Sequence, residues 1–153
     1  AAQVEMRDTV QEVALEIADT CLAVSTRRLA RIVTAMFDEA LRPHGVTTPQ
    51  LIILVAVKSL GRARPSDLGA ALAMEKSTVS RDVTRMVEKG WLKKTIGGDL
   101  RTHTLTLTSA GSRLLRLIYP AWRAAQMKAE ASVGARATET LRAFGPTRRR
   151  PTQ

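Results

Sequence analysis

Apolar positions recur along this chain with two different periods, and the change of period divides it. Between residues 9 and 42, Val10, Val13, Ile17, Cys21, Val24, Ile32, Met36 and Ala40 return at steps of three, four and eight. That is one helical face, and no Pro or Gly interrupts it. A single helix of that length would reach about 50 Å at 1.5 Å per residue. So long a stripe exceeds what one small core absorbs, and part of it is expected to meet a partner helix. Pro43 and Gly45 end the pattern. Thr48 as N-cap and Pro49 at the first helical position then open a second helix. Its Leu51 to Val57 run is nearly all apolar and belongs in the centre of the domain.

Gly61-Arg62-Ala63 is a short link and a candidate edge strand. Pro65 opens a helix to about Leu72, with Leu68, Ala71 and Leu72 inward and Gly69 suited to close helix–helix approach. From Ser77 to Lys89, the residues Val79, Val83, Met86 and Val87 fall at i, i+4, i+7 and i+8, a single apolar stripe. Everything opposite is short, polar or basic. Gly90 stops this helix, and the period then falls to two. Trp91 and Leu92 begin a strand to Ile96, Gly97-Gly98-Asp99 is a turn, and His103 to Leu107 returns. Helix, turn, helix and hairpin in that order predict a mainly α fold with a small β-hairpin wing: a winged helix-turn-helix over residues 46–107.

Thr108 and Ser109 are N-cap candidates for a long final helix carrying Leu114, Leu115, Leu117, Ile118, Ala121, Trp122 and Ala125 on its apolar face. Pro120 should kink it, and Gly134 should end it. A short helix over 137–144 offers Leu141 and Phe144 for burial. The tail, 145–153, holds Pro146, three successive arginines and Pro151, and reads as a disordered basic extension. The whole is one domain, with helical segments 9–45 and 108–144 flanking the reader.

Charge adds a partner. Twenty-four Lys and Arg against 14 Asp and Glu give a formal net charge of +10. Such a balance fits a polyanionic partner, nucleic acid before an acidic membrane surface. Cys21 is the one cysteine, so no internal disulfide is possible. His44 and His103 stand far apart without ligand-like neighbours, so no metal or other cofactor is expected. No nucleophile–base pair or phosphate loop suggests an enzyme. No apolar run reaches a membrane span and no signal peptide is visible, which points to the cytoplasm.

The segment STVSRDVTRMVEKGWLKKTIGGDLRTHTLTLTSAG resembles the MarR-type winged-helix regulators. Four short motifs carry the resemblance in order: Thr78-Val79-Ser80 at the start of the recognition helix, Lys89-Gly90 before the first wing strand, Asp99-Leu100-Arg101 at the wing tip, and Leu107-Thr108-Ser109-Ala110-Gly111 opening the next helix. Upstream, GVTTPQLIILVAV looks like the family's second helix. The likeness covers roughly Cys21 to Gln126. It implies a homodimer in which N- and C-terminal helices of two chains intertwine, holding two readers on double-stranded DNA. The short last helix and the arginine tail depart from the family pattern, as does Arg64, a poor cap before Pro65.

Under that resemblance the site residues take distinct jobs. Lys76, Ser77, Thr78, Ser80 and Arg81, at the N-terminal end of the recognition helix, would face base edges, with Arg85 one turn later nearer phosphate. The competing reading for the two arginines is surface pairing with Asp82 or Glu88. At the wing tip Arg101 suits a narrow minor groove, with Asp99 holding its guanidinium. Arg62, Lys93 and Lys94 would contribute phosphate attraction. Together these describe a regulator, expected to be a repressor, on a palindromic operator. Release would come from a small aromatic or phenolic effector in a cleft near Met36, Tyr119 and Trp122, or, as the alternative, from oxidation at Cys21. Nonspecific architectural binding is the remaining reading.

Overall fold

The computed structural model describes residues 9–97 and 102–145. Those residues fall into two units, one ending at Ala35 and the other beginning at Met36.

In the first unit, helix α1 runs Val10–Thr20 and helix α2 begins at Leu22, continuing to Leu41. Thr9 caps α1 in a reciprocal box: its hydroxyl accepts from the Glu12 N–H at 3.2 Å, and the Glu12 carboxylate accepts the Thr9 N–H at 3.1 Å. The single helix expected over 9–42 is therefore two. The interruption falls at Cys21, whose ψ of 114° is extended although its N–H still reaches the Ile17 carbonyl. Asp19, Thr20 and Cys21 are three of the weaker helix formers in succession, and the turn gives way there without Pro or Gly. Val10, Ile17 and Leu22 are exposed in the single chain.

The second unit opens with the end of α2 and a 3₁₀ turn at Arg42–His44, closed by Gly45 at φ 67°. Helix α3 is Thr48–Leu60. Its N-cap is Thr47, one residue earlier than expected, and Thr47 forms a capping box with Gln50. Thr48 is drawn away by Asp38 of α2, which takes both its N–H and its hydroxyl at 2.7 Å.

Helix α4, Pro65–Leu72, starts at Arg64 with no side-chain cap, as its sequence implied. Ala73 turns the chain with φ 50° into α5, Lys76–Glu88. Strands β1, Leu92–Ile96, and β2, His103–Leu107, pair antiparallel with Leu92 opposite Leu107 and Ile96 opposite His103. Ala63 joins the edge by exchanging two backbone bonds with Leu105, so the short link is a one-residue third strand.

Helix α6 is Ser109–Val133 and runs through Pro120 without ending, and α7 is Ala135–Ala143 beyond Gly134. Leu141 and Phe144, expected to be buried, are 42% and 85% exposed. Nothing among the described residues buries them. What holds α7 to α6 is polar: Arg142 pairs with Glu130, whose carboxylate also accepts from Gln126 at 2.6 Å.

Two apolar clusters make the core. The larger gathers Ile53, Leu54 and Val57 of α3, Leu68 of α4, Val79, Val83 and Met86 of α5, and Leu92 and Leu105 of the hairpin. The smaller joins Leu41, Val46, Leu51 and Ile118, with Phe37 and Trp122 against it. Among the described residues no helix is long and apolar enough to cross a membrane.

Candidate nucleic-acid interface

Helix α5 is amphipathic in a way that fixes its outward face. Val79, Val83 and Met86 are buried, so residues on the opposite side must face water. Lys76, Ser77, Ser80, Arg81 and Arg85 are exposed there, and Thr78 is half-buried at the edge. The structure thus brings together all six residues expected of a recognition helix. Arg81 and Arg85 have no ion pair among the described residues, with Asp82 or with the exposed Glu88, and for Asp82 the reason is its burial. Asp82 shares the inward face with Val79 and Val83, is 8% exposed, and takes its hydrogen bond from Gln50 at 3.3 Å.

The start of α5 is uncapped by any side chain, Glu75 making no such bond. Its first-turn N–H groups and the positive end of the helix dipole are free to meet an anion. Thr84, which the sequence pattern did not single out, is also exposed on this face; its hydroxyl is engaged by the Ser80 carbonyl at 3.0 Å. Position i+4 from Ser80 was the available signal.

At its far end α5 stops in a Schellman motif: the Gly90 N–H reaches the Val87 carbonyl and the Trp91 N–H reaches Met86, both at 2.9 Å, with Gly90 at φ 74°. Lys89 lies 4.5 Å above the Trp91 ring and donates to the Gly45 carbonyl at 3.1 Å. Thr108 completes the junction. Its hydroxyl donates to the Gly90 carbonyl at 2.6 Å and accepts from the Gly111 N–H at 3.0 Å, while its own N–H reaches Trp91 O at 3.1 Å. Gly111 is the close-approach glycine of this fold: a Cβ there would collide with the Trp91 carbonyl oxygen and lie 2.9 Å from Leu107 Cδ1. Gly69, expected in that role, has nothing nearer than Met74 O at 3.5 Å.

Arg62, Lys93 and Lys94 are all exposed. The two lysines are neighbours in one strand, so they occupy opposite faces of the hairpin. Lys94 pairs with Leu105 and Lys93 with Thr106, which leaves a polar face of Lys93, Thr95, Thr104 and Thr106. Asp99 and Arg101 lie outside the described residues, as does the arginine-rich tail beyond Gly145.

The residues expected to line an effector cleft are only partly together. Tyr119 and Trp122 stack, with centroids 5.7 Å apart and planes at 22°, but Trp122 packs against the smaller core cluster while Tyr119 is 53% exposed. Met36 is half-buried near the end of α2. Cys21 is half-buried at the α1–α2 interruption. Among the described residues no cluster of His, Cys, Asp and Glu could hold a metal ion.

Two helices joined by a tight turn, a third packed across them and an antiparallel hairpin after the second define a winged helix-turn-helix. The MarR family model matches residues 44–102, the stretch that contains α3 to β1. The M. tuberculosis transcriptional regulator MosR, in a complex with DNA, is 31% identical; the alignment covers 82% of this chain and 93% of that one, with a TM-score of 0.70. A mutant MarR from E. coli complexed with operator DNA shares the fold at 19% identity, with a TM-score of 0.73 over 85% of this chain and 94% of that one. An uncharacterised HTH-type transcriptional regulator of Bacillus subtilis (strain 168), YwoH, is 27% identical over 84 residues, which is 55% of this chain and 61% of that relative's length. The chain belongs to the MarR family.

Proposed function

We propose that this chain is a DNA-binding transcriptional regulator that works as a homodimer on a near-palindromic operator and represses nearby genes. The observation that carries the reading is the outward face of α5. Six polar or basic residues stand together there, Arg81 and Arg85 have no acidic partner among the described residues, and the helix start is uncapped. In this reading α5 enters the major groove. Ser77, Thr78, Ser80 and Arg81 read base edges, and Lys76 and Arg85 meet phosphates. Arg62, Lys93 and Lys94 add charge along the backbone, and Arg101 with Asp99 serves the minor groove. That MosR and MarR were solved on DNA supports this assignment.

The arms are residues 9–45 and 108–144. Val10, Ile17, Leu22, Leu117, Met127 and Phe144 are all more than half exposed, apolar surface that a second chain would cover. A small aromatic or phenolic effector held near Tyr119, Trp122 and Met36 would shift the spacing of the two readers and release the operator.

Selection of bound fragments from a genomic pool, followed by titration of the recovered duplex, tests the function. We expect a preferred near-palindrome whose half-site centres lie about 34–36 Å apart or a multiple of that. Affinity should fall by roughly 10³ to 10⁵ between 50 and 200 mM salt if six to ten phosphates are neutralised. A flat salt response, or no preference over shuffled duplex, removes the proposal.

A further inference from the structure

The first turn of α3 touches a carboxylate on each side. Toward α2, Asp38 Oδ1 accepts the Thr48 N–H and the Thr48 hydroxyl, both at 2.7 Å. Toward α5, Gln50 Nε2 donates to Asp82 Oδ1 at 3.3 Å. Between them the turn is self-locked: Gln50 Oε1 accepts the Thr47 N–H at 3.2 Å, and the Thr47 hydroxyl accepts the Gln50 N–H at 3.4 Å. That box also settles the orientation of the Gln50 amide, since its oxygen must meet an N–H and its nitrogen a carboxylate. Thr48, Gln50 and Asp82 are the three buried polar residues among those described, at 9%, 3% and 8% exposure.

The apolar face of α5 has no directional preference of its own. Val79, Val83 and Met86 would pack nearly as well after a small rotation or slide, because burial is non-directional. Asp82 removes that freedom. It sits within the apolar stripe, and any rotation that breaks its bond to Gln50 strands a carboxylate away from water. We infer that Asp38, Thr48, Gln50 and Asp82 form a positioning chain, by which the last turns of α2 set the rotational register of the recognition helix and so the aim of Arg81 and Arg85. None of the four stands on the outward face of α5. The inference rests on the DNA-reading function proposed above and names what keeps that reader specific.

The test compares two probes: the highest-affinity duplex recovered from a random pool, and a shuffled duplex of the same composition. The double variant Gln50→Leu/Asp82→Leu replaces a buried polar pair by apolar side chains; because it also removes the Gln50 half of the capping box with Thr47, binding is measured well below the melting temperature of both proteins. Its affinity for the selected duplex should fall tenfold or more, with affinity for the shuffled duplex and the salt slope unchanged. Asp82→Asn keeps a carbonyl acceptor for Gln50 and should restore most of the preference. Asp38→Ala should lower the preference by itself and add no further loss in the double-variant background. If the double variant does not fold, Asp38→Ala carries the test, because Asp38 is half-buried on another helix. A parent-like preference in the folded double variant, an equal fall on both duplexes, or full additivity of Asp38→Ala overturns the inference. So does a parent-like preference in Asp38→Ala alone. A parent protein that recovers no preferred duplex overturns the DNA-reading function, and the positioning chain with it.

Discussion

The same substitution at two glycines should change stability in opposite directions. Gly111 and Gly69 both lie in helices, where Gly→Ala is intrinsically favourable by up to about 1 kcal/mol. At Gly111 the new Cβ would collide with the carbonyl oxygen of Trp91 and come within 2.9 Å of Leu107 Cδ1. The obstacle is backbone, and that carbonyl is itself bonded to the Thr108 N–H at 3.1 Å. Relief requires α6 to move off the root of the wing. Overpacking of this kind costs about 1–3 kcal/mol, and weakening the Thr108 cap adds about 1 kcal/mol. Against the helical gain, Gly111→Ala should lose about 1–3 kcal/mol. For a chain of this length that lowers Tm by roughly 3–8 °C. At Gly69 the nearest atom is Met74 O at 3.5 Å, ordinary contact. Gly69→Ala should therefore gain about 0.5–1 kcal/mol and raise Tm by roughly 1–3 °C. Thermal melts by circular dichroism at one fixed protomer concentration measure both. A Gly111→Ala protein melting at or above the parent, or a Gly69→Ala protein falling as far as Gly111→Ala, would refute the close approach.

Two further substitutions address the reader and the arm. Arg81→Ala should cost about 1–3 kcal/mol on the selected duplex and relax preference at one base position per half-site, without changing Tm by more than a degree or so; uniform weakening across all sequences would make Arg81 a phosphate contact. In α6, the Gln126 amide bond, with further help from the Arg142 and Arg123 charges, holds the Glu130 carboxyl below the usual glutamate range. A carboxyl with a depressed folded pKa stabilises above its unfolded pKa, and that contribution fades as pH falls through the folded value. The α6–α7 contact should therefore survive mild acid and loosen only below the ordinary glutamate range. A carboxyl-carbon NMR titration should place the Glu130 midpoint below free glutamate, and Gln126→Ala and Arg142→Ala should each move it up. Equal midpoints in parent and Gln126→Ala would remove the assigned cause.

What could be read from sequence was whatever is decided within a turn or two of chain. The stripe of Val79, Val83 and Met86, the stop at Gly90, the uncapped Arg64 and the cap at Thr108 are local events and were legible as such. The break at Cys21 was missed although its cause is local, three weak helix formers in a row; the other misreadings turn on distant partners. Thr47 and Thr48 are equally good caps, and the choice between them is made by Asp38, ten residues away on another helix. Gly69 and Gly111 look alike until something approaches, and only Trp91 and Leu107 approach Gly111. Asp82 reads as one more solvent-facing charge because its partner, Gln50, lies 32 positions upstream. Leu141 and Phe144 fall three apart on one helical face, and nothing among the described residues buries them. The site was more legible than the core's polar contacts, since an exposed face needs no partner to be recognised.

The Thr108 hydroxyl ties three things at one point: the end of α5, the root of the wing and the first turn of α6. With Leu92 opposite Leu107 at its base, the hairpin leaves the helices from that one anchored point. A load on either strand of the hairpin is therefore passed to the end of α5 and the start of α6 together.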